Sequence, residues 1–382
     1  MRLLFTLCAL AACNGTDDPI TDPTDDPGPT VVTGSDLIDD ATRVDALFVD
    51  LDEEHGTPAL AGAVIDSDGI FAVGVTGVRI QGGDDLATIK DRWHLGSLTK
   101  AMTGTLAGIL VDKGVITYDT TVDEVWPEAH ASWTGATLEQ LVTHRSGATG
   151  SIGADHGDLW SAAFAERDGP TGRAALVAAL VSRPQDGVRG QFLYSNAGFI
   201  IAGAMLEERT GETWQALMQE HLFEPYGMDQ CGFGPPQGDQ PWGHSSNAGT
   251  PADPATVGAD NPPALGPAGT VHCSLASWGQ FVALHLRGAN GTEPTLDQAV
   301  FTRMHTPDGT YAHGWGVGQR PWAGGPTLSH RGSNTMWIAD MWVAPGIDRA
   351  FLAVSNSGFG TAGTAVDSAV VALIQADLQR EE

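Results

Sequence analysis

Residues 93–100 read Trp-His-Leu-Gly-Ser-Leu-Thr-Lys and are followed by a run of good helix formers that continues to Gly114. Apolar side chains recur in this run at helical spacing, and a glycine after such a run is a frequent helix stop. The pattern therefore predicts a helix that begins near Ser97 and ends at Gly114. Ser97 and Lys100 are three residues apart, which places them on one face of its first turn.

This pair has the residue types of an activated nucleophile. A serine hydroxyl attacks a carbonyl efficiently only when a base removes its proton, and a lysine is such a base where an apolar setting keeps it neutral. The positive end of the helix dipole also favours negative charge near Ser97. The alternative is a serine cap followed by a solvated lysine. Lys100 is one of three lysines in the chain and lies in an apolar run, which favours the nucleophile.

Composition excludes some classes of function. The chain has 382 residues, enough for a substantial core, and its formal net charge of −28 would repel a phosphate backbone. We therefore expect no nucleic-acid partner. No pair of histidines has the spacing of a zinc-binding helix, so we expect neither a metal nor another cofactor. The oligomeric state stays open.

The first 34 residues have the pattern of an exported lipoprotein. A short basic start and an apolar core lead to Leu-Ala-Ala-Cys at 10–13, which resembles a bacterial lipobox. Residues 1–12 are predicted to be a lipoprotein signal peptide, with an ordinary signal peptide as the alternative, and Cys13 to be lipidated. Residues 13–34 are predicted to be a disordered, acidic, Pro-rich tether, which leaves 35–382 as the folded domain. We expect a lipid anchor on the periplasmic or cell-surface face of a bacterial membrane.

Two cysteines, Cys231 and Cys273, remain in the predicted folded domain. An oxidising compartment would permit a disulfide between them. Two buried thiols are an equally good interpretation, because cysteine is among the most buried residues.

The order of predicted elements indicates an α+β fold. Residues 35–55 are predicted to form one amphipathic helix that Ser35 caps, and a final helix opens near Thr364. Residues 235–267 are rich in Gly, Pro, Asn and Asp and predict a long surface loop. Strands cluster at the two chain ends, which predicts one antiparallel sheet flanked by helices, with a mainly helical region inserted and a site in the groove between them. The predicted strands are 59–65, 70–78, 327–330, 336–343 and 350–354.

Two downstream motifs complete a constellation with Ser97 and Lys100. They are Tyr-Ser-Asn at 194–196 and His-Arg-Gly at 330–332. In this order and spacing, the motifs resemble those of the serine β-lactamase and penicillin-binding-protein superfamily. Residues 141–147 and 223–228 also resemble the family's segments Leu-Leu-Thr-His-Thr-Ser-Gly and Phe-Glu-Pro-Leu-Gly-Met, so the likeness covers most of the chain. It implies a β-lactamase/transpeptidase-like fold.

The resemblance implies roles for the second motif. Tyr194 would act in proton transfer together with Lys100, and Asn196 would donate to the substrate carbonyl and help hold Lys100. A Tyr-x-Asn motif is similar to that of class C β-lactamases, the related D,D-carboxypeptidases and D-aminopeptidases, and the family's esterases. Class A enzymes carry Ser-Asp-Asn instead.

The third motif departs from that of true β-lactamases, which have Lys-Thr-Gly at this place. His330 instead resembles the residue of the peptidases and esterase-like members. Gly332 would let the substrate backbone approach the strand edge. The N–H groups of Ser333 and Ser97 would form an oxyanion hole.

Together these features predict a serine hydrolase that acts through a Ser97 acyl-enzyme. Its substrate would be a small molecule or a peptide, with D-amino-acid peptides slightly ahead of small esters. A β-lactamase is an alternative, and so is a binding or sensor module that takes up wall fragments without turnover.

Overall fold

The two ends of the chain build one seven-stranded sheet, which confirms the α+β prediction. The structure is a computed structural model that describes residues 31–245, 249–358 and 360–380, so the predicted signal peptide, Cys13 and most of the predicted tether lie outside the described residues. The strands are β1 (Thr42–Arg43), β2 (Ala59–Asp66), β3 (Gly69–Gly77), β4 (Arg92–His94), β5 (Gly232–Phe233), β6 (Gly243–His244), β7 (Pro251–Ala252), β8 (Val271–Ser274), β9 (Gly316–Gln319), β10 (Pro326–Ser333), β11 (Ile338–Ala344) and β12 (Arg349–Ser355).

Helices make up most of the remaining described structure. The α-helices are α1 (Gly34–Leu37), α2 (Ala46–His55), α3 (Thr99–Asp112), α4 (Val122–Val125), α5 (Leu138–Val142), α6 (Ile152–Asp155), α7 (Gly157–Ala165), α8 (Gly169–Val181), α9 (Asn196–Thr210), α10 (Trp214–Met218), α11 (Gly266–Gly269), α12 (Leu275–Asn290), α13 (Gln298–His305) and α14 (Ala362–Leu378). Short 3₁₀ turns cover Ile38–Asp40, Gly96–Leu98, Ala131–Trp133, Pro263–Leu265, Pro321–Ala323 and Pro345–Ile347, and a π-helical turn covers Gln219–Phe223. None of the described helices has the length and hydropathy of a membrane span.

The main sheet has the strand order β1-β3-β2-β12-β11-β10-β9. Its pairings are antiparallel except that β1 runs parallel to β3. Strand β2 comes from the N-terminal part and β12 from the C-terminal part, and they pair with Ala63 opposite Leu352. Helices α2 and α14 cover one face, while α12 covers the other. Both central strands are therefore buried on both faces and read as nearly continuous apolar runs.

Residues 35–55 do not form the single helix that their periodicity predicts. Thr33, not Ser35, caps α1 in a capping box with Asp36, and α1 ends at Leu37. The chain then extends as β1 along the edge of β3 before α2 begins. Backbone pairing with the sheet edge, supported by a 2.9 Å hydrogen bond from the N–H of Val75 to Asp45, outcompetes the weak helical pattern there.

The segment 235–267 is a loop with short strands, but its last part does not stay on the surface. Residues 264–267 and the rest of α11 are buried, where α11 packs against α3 and α9. Small residues permit this close approach, since a Cβ on Gly203 would lie only 2.3 Å from Pro267. The segment thereby places α11 directly behind Lys100. Near its start, the sulfurs of Cys231 and Cys273 lie 1.96 Å apart as a disulfide between the β5 strand region and β8.

Candidate active site

Ser97 lies in the 3₁₀ turn that joins β4 to α3. Gly96 has φ +52°, a left-handed conformation that glycine adopts without strain, and it turns the chain sharply between the two elements. Ser97 is half-buried, whereas Lys100, in the first turn of α3, is fully buried. The predicted helix therefore starts two residues after Ser97, and it ends with Gly114 at φ +71° as expected.

Lys100 directs its amine at the nucleophile. Its Nζ donates to Ser97 Oγ at 3.1 Å and to the Ala268 carbonyl of α11 at 2.7 Å. The amine also lies 4.9 Å from the centroid of the Tyr194 ring. Burial lowers the pKa of Lys100 to about 7, because the charged form loses its hydration. A neutral amine at this place can accept the Ser97 proton at physiological pH.

Tyr194 stands at the mouth of the site, just before α9. Although 37 % of the residue is exposed, protein atoms crowd around its hydroxyl. This burial raises the pKa of Tyr194 to about 12, while the neighbouring Ser97 hydroxyl acts in the opposite direction. The phenol therefore keeps its proton in the free protein and can donate it. Lys100 is the better base for the first proton transfer.

His144 supports Tyr194 from behind. It is buried with φ +60°, and its Nδ1 accepts a 3.0 Å hydrogen bond from the N–H of Ser195 at the start of α9. Its ring lies 4.3 Å from the Tyr194 ring, centroid to centroid. Burial lowers the pKa of His144 to about 2, so the ring stays neutral. It fixes the position of Tyr194 without adding charge.

His330 lies on β10 opposite Tyr194 and is also neutral. Burial, with a smaller effect of Lys100, lowers the pKa of His330 to about 3. Its Nδ1 donates to the Arg331 carbonyl at 2.8 Å, which leaves Nε2 to accept from the Tyr311 hydroxyl at 3.1 Å. Sequence reasoning missed Tyr311. The only available signal was a tyrosine in the short polar stretch before Trp315, in a chain with four tyrosines.

Gly332 and Ser333 form the wall opposite Ser97. A Cβ on Gly332 would lie 2.0 Å from the Leu95 carbonyl and 2.8 Å from the N atom of Ser97. A Cβ on Gly96 would likewise lie 2.4 Å from the N atom of Ser333. The glycine in the third motif thus lets β10 touch the turn that carries the nucleophile. This contact brings the backbone N atoms of Ser97 and Ser333 close to each other.

Asn196 is the first residue of α9 and is half-buried. Within the described ranges, no hydrogen bond joins it to Lys100, which the Ala268 carbonyl holds instead. Its side-chain amide is therefore available to a substrate carbonyl.

The arginines next to these motifs are engaged elsewhere. The Nε of Arg331 donates to Asp340 at 3.0 Å and its Nη2 also contacts Asp367, which ties the guanidinium to α14. Arg145 Nε pairs with Asp308 at 2.7 Å. With Lys100 half-neutral and His330 neutral near pH 7, these motifs present little positive charge to a substrate. The described side chains form no cluster of three or more His, Cys, Asp or Glu that could hold a metal ion.

The chain is similar in sequence to known proteins. A family model described as Beta-lactamase matches residues 44–376. Penicillin-binding protein 4 of Amycolatopsis lactamdurans is 28% identical over 340 residues, which are 84% of this chain and 85% of that protein. The Esterase/beta-lactamase LipL of Mycobacterium tuberculosis is 30% identical over 148 residues, which are 38% of this chain and 32% of that protein.

Solved structures share the fold at lower identity. D-alanine carboxypeptidase AmpC from Burkholderia cenocepacia matches with a TM-score of 0.68 and 19% identity, over 86% of this chain and 96% of that one. A beta-lactamase from Sulfitobacter sp. EE-36 matches with a TM-score of 0.69 and 20% identity, over 92% of this chain and all of that one, 100%.

Proposed function

This chain belongs to the beta-lactamase family of serine hydrolases. We propose that it hydrolyses uncharged esters through a covalent Ser97 acyl-enzyme. The observation that carries the chemistry is the buried Lys100 amine, 3.1 Å from Ser97 Oγ. The observation that carries the substrate class is the scarcity of positive charge around it.

In the first step, Lys100 takes the Ser97 proton as Oγ attacks the ester carbonyl. The N–H groups of Ser97 and Ser333 stabilise the negative charge on the carbonyl oxygen. Tyr194 donates a proton to the leaving alcohol as its C–O bond breaks, and is reprotonated through Lys100. In the second step, water attacks the acyl-enzyme with the same groups in reverse roles, releasing the acid and restoring Ser97.

Two features favour an ester over a substrate with a free carboxylate. The neutral His330 stands where true β-lactamases carry a lysine that helps bind the substrate carboxylate, and Arg331 is paired with Asp340 and Asp367. A buried or half-buried carboxylate in this cleft would lack a charged partner. The sequence places D-amino-acid peptides slightly ahead of small esters. We place esters first because positive charge is scarce in this cleft. The name of the Esterase/beta-lactamase LipL of Mycobacterium tuberculosis includes both activities, so this relative is compatible with an ester substrate and does not separate it from the β-lactamase alternative.

A D-amino-acid peptide is the second candidate, and one observation favours it. Strand β9 pairs with β10 only from Pro326 to Ser329, so β10 extends past its neighbour from His330 to Ser333. An extended peptide could align with this stretch. The Arg331 carbonyl, however, already accepts from the His330 ring.

The test combines active-site labelling with a substrate panel. Wild type and Ser97→Ala are treated with a fluorophosphonate probe, and hydrolysis is measured for a short-chain nitrophenyl ester, a D-Ala-D-Ala peptide and a chromogenic cephalosporin. We expect an adduct on Ser97, none in the variant, and the highest kcat/KM for the ester. A higher value for the peptide or the cephalosporin would replace the ester proposal. A stable acyl-Ser97 without turnover would instead indicate a sensor.

We also propose that Cys13 is lipidated, on the Leu-Ala-Ala-Cys pattern alone. Expression in a bacterial host with an alkyne-tagged fatty acid should label the wild-type protein in the membrane fraction. Labelling that persists in Cys13→Ser would overturn this.

A further inference from the structure

We propose that Asp260, in the segment 235–267, positions both halves of the oxyanion hole. Its carboxylate acts through His94 on one side and Asn334 on the other, and it does not touch Ser97. It is therefore a positioning residue. The inference rests on the acyl-enzyme chemistry proposed above.

The first contact runs through His94, which is fully buried at the end of β4. Its Nδ1 accepts a 3.1 Å hydrogen bond from the N–H of Gly96, so a neutral ring carries its proton on Nε2. That Nε2 lies 2.9 Å from Asp260 Oδ1, but too bent for a good hydrogen bond. The attraction is thus mainly between the carboxylate charge and the N–H dipole, and it favours the tautomer that holds Gly96.

The second contact runs through Asn334, which directly follows Ser333 and is 5% exposed. Asp260 Oδ1 accepts from Asn334 Nδ2 at 2.8 Å. The amide oxygen of Asn334 in turn accepts from the N–H groups of Met336 and Trp337, both at 3.1 Å. The Asp260 carboxylate therefore holds the end of β10 through Asn334 and the turn before Ser97 through His94.

These two segments touch with no room to spare. The close approach of Gly96 to the N atom of Ser333 means that a shift of either segment changes the spacing between the two oxyanion donors. A misplacement of about 1 Å can cost about 100-fold in rate.

The burial of Asp260 costs folding free energy, which is consistent with a positioning role rather than a contribution to stability. Its side chain is 7% exposed, and its Oδ2 has no hydrogen-bond partner among the residues that the structure describes. A buried carboxylate oxygen without a partner destabilises a fold.

The experiment compares Asp260→Asn and Asp260→Ala with wild type in the full chain. Hydrolysis of the nitrophenyl ester gives kcat and KM, and a boronic acid that forms a tetrahedral adduct on Ser97 reports the oxyanion hole. For Asp260→Ala we expect kcat to fall between about 10- and 100-fold, KM to change by less than about 2-fold, and boronate affinity to fall in parallel with kcat. Asp260→Asn keeps an acceptor for Asn334 and should lose less.

Asp253→Ala is the matched control, because this exposed carboxylate in the same segment accepts from the N–H of Ala255 in its own turn. It should behave as wild type. A folded Asp260→Ala with kcat and boronate affinity within about 2-fold of wild type would overturn the inference, as would a rise in KM alone. If the alanine variant does not fold, the asparagine variant decides by the same criteria. A wild-type protein that forms no adduct on Ser97 would overturn the proposed function and this inference with it.

Discussion

The pH dependence of acylation is set by the ionisation of Lys100. Burial lowers the pKa of its amine from 10.5 to about 7. At pH 7 about half of the molecules then carry the neutral amine, against about 0.03% for an ordinary lysine, a gain of about 1,000-fold in the concentration of base. We therefore expect kcat/KM to rise about tenfold per pH unit below pH 6.5 and to level off above pH 8. The total rise from pH 5 to the plateau should be about 100-fold.

The assay is hydrolysis of a neutral nitrophenyl ester between pH 5 and 9, corrected for the spontaneous reaction, with the rate of fluorophosphonate labelling as a second readout. The ester has no ionisable group in this range, so an inflection belongs to the enzyme. The control variant is His330→Gln, because the pKa of His330 is held at about 3 and cannot produce an inflection near 7. The inflection should survive in this variant.

Two results would refute the assignment. A profile that is flat from pH 5 to 9, or one that still rises about tenfold per pH unit at pH 9 without levelling off, would show that neutral Lys100 does not limit the reaction. An inflection near 7 that disappears in His330→Gln would identify the histidine as the base instead.

Three further predictions concern stability and packing. Lys100→Met should abolish turnover but stabilise the protein. Between pH 7 and 10.5 the lysine of the unfolded chain binds a proton that the buried lysine of the folded chain does not. The free-energy cost of burying Lys100 in the wild type is therefore full below pH 7 and fades as the pH rises to 10.5. The gain, up to about 5 kcal/mol less the lost hydrogen bonds to Ser97 and Ala268, should be larger by denaturant titration at pH 6 than at pH 9, and a loss of stability at pH 6 would contradict it. Gly332→Ala should lower kcat/KM by at least about 100-fold, because the added Cβ would lie 2.0 Å from the Leu95 carbonyl. Gly325→Ala is its control, since a Cβ there meets no atom within 4 Å. Equal activities of the two variants would contradict the close contact between Gly332 and Leu95. Removing the Cys231–Cys273 disulfide by the double alanine variant should cost about 4 kcal/mol for a sequence separation of 42 residues, and an unchanged thermal midpoint would show that the crosslink adds nothing.

Local patterns in the sequence were sufficient for most of the fold. The β2–β3 hairpin follows from two β-rich runs around a turn sequence, and the helix after Ser97 from spacing and a terminal glycine. The helix predicted over 35–55 failed because its middle pairs with β3, a contact 30 residues away that periodicity does not register.

In the candidate site, too, residues that belong to local motifs could be predicted from the sequence, and residues placed by long-range contacts could not. Ser97, Lys100, Tyr194 and His330 belong to ordered motifs, and the structure brings them together. Tyr311 and Asp260 belong to no motif, since each acquires its position only through a contact across the fold. The protonation state of His330 could not be predicted from the sequence either, because it depends on how deeply the folded chain buries the ring.

The pairing of β2 with β12 determines the order in which the molecule can fold. Leu60 and Ser355 are partners in neighbouring strands although almost 300 residues separate them. During synthesis the β2–β3 hairpin emerges early and presents an apolar, unpaired edge until the last strands arrive. A ribosome-bound chain therefore has no complete sheet, and no wall opposite Ser97, before β10 to β12 are made. Contacts of such long range predict slow folding, during which the early hairpin is the segment most exposed to aggregation.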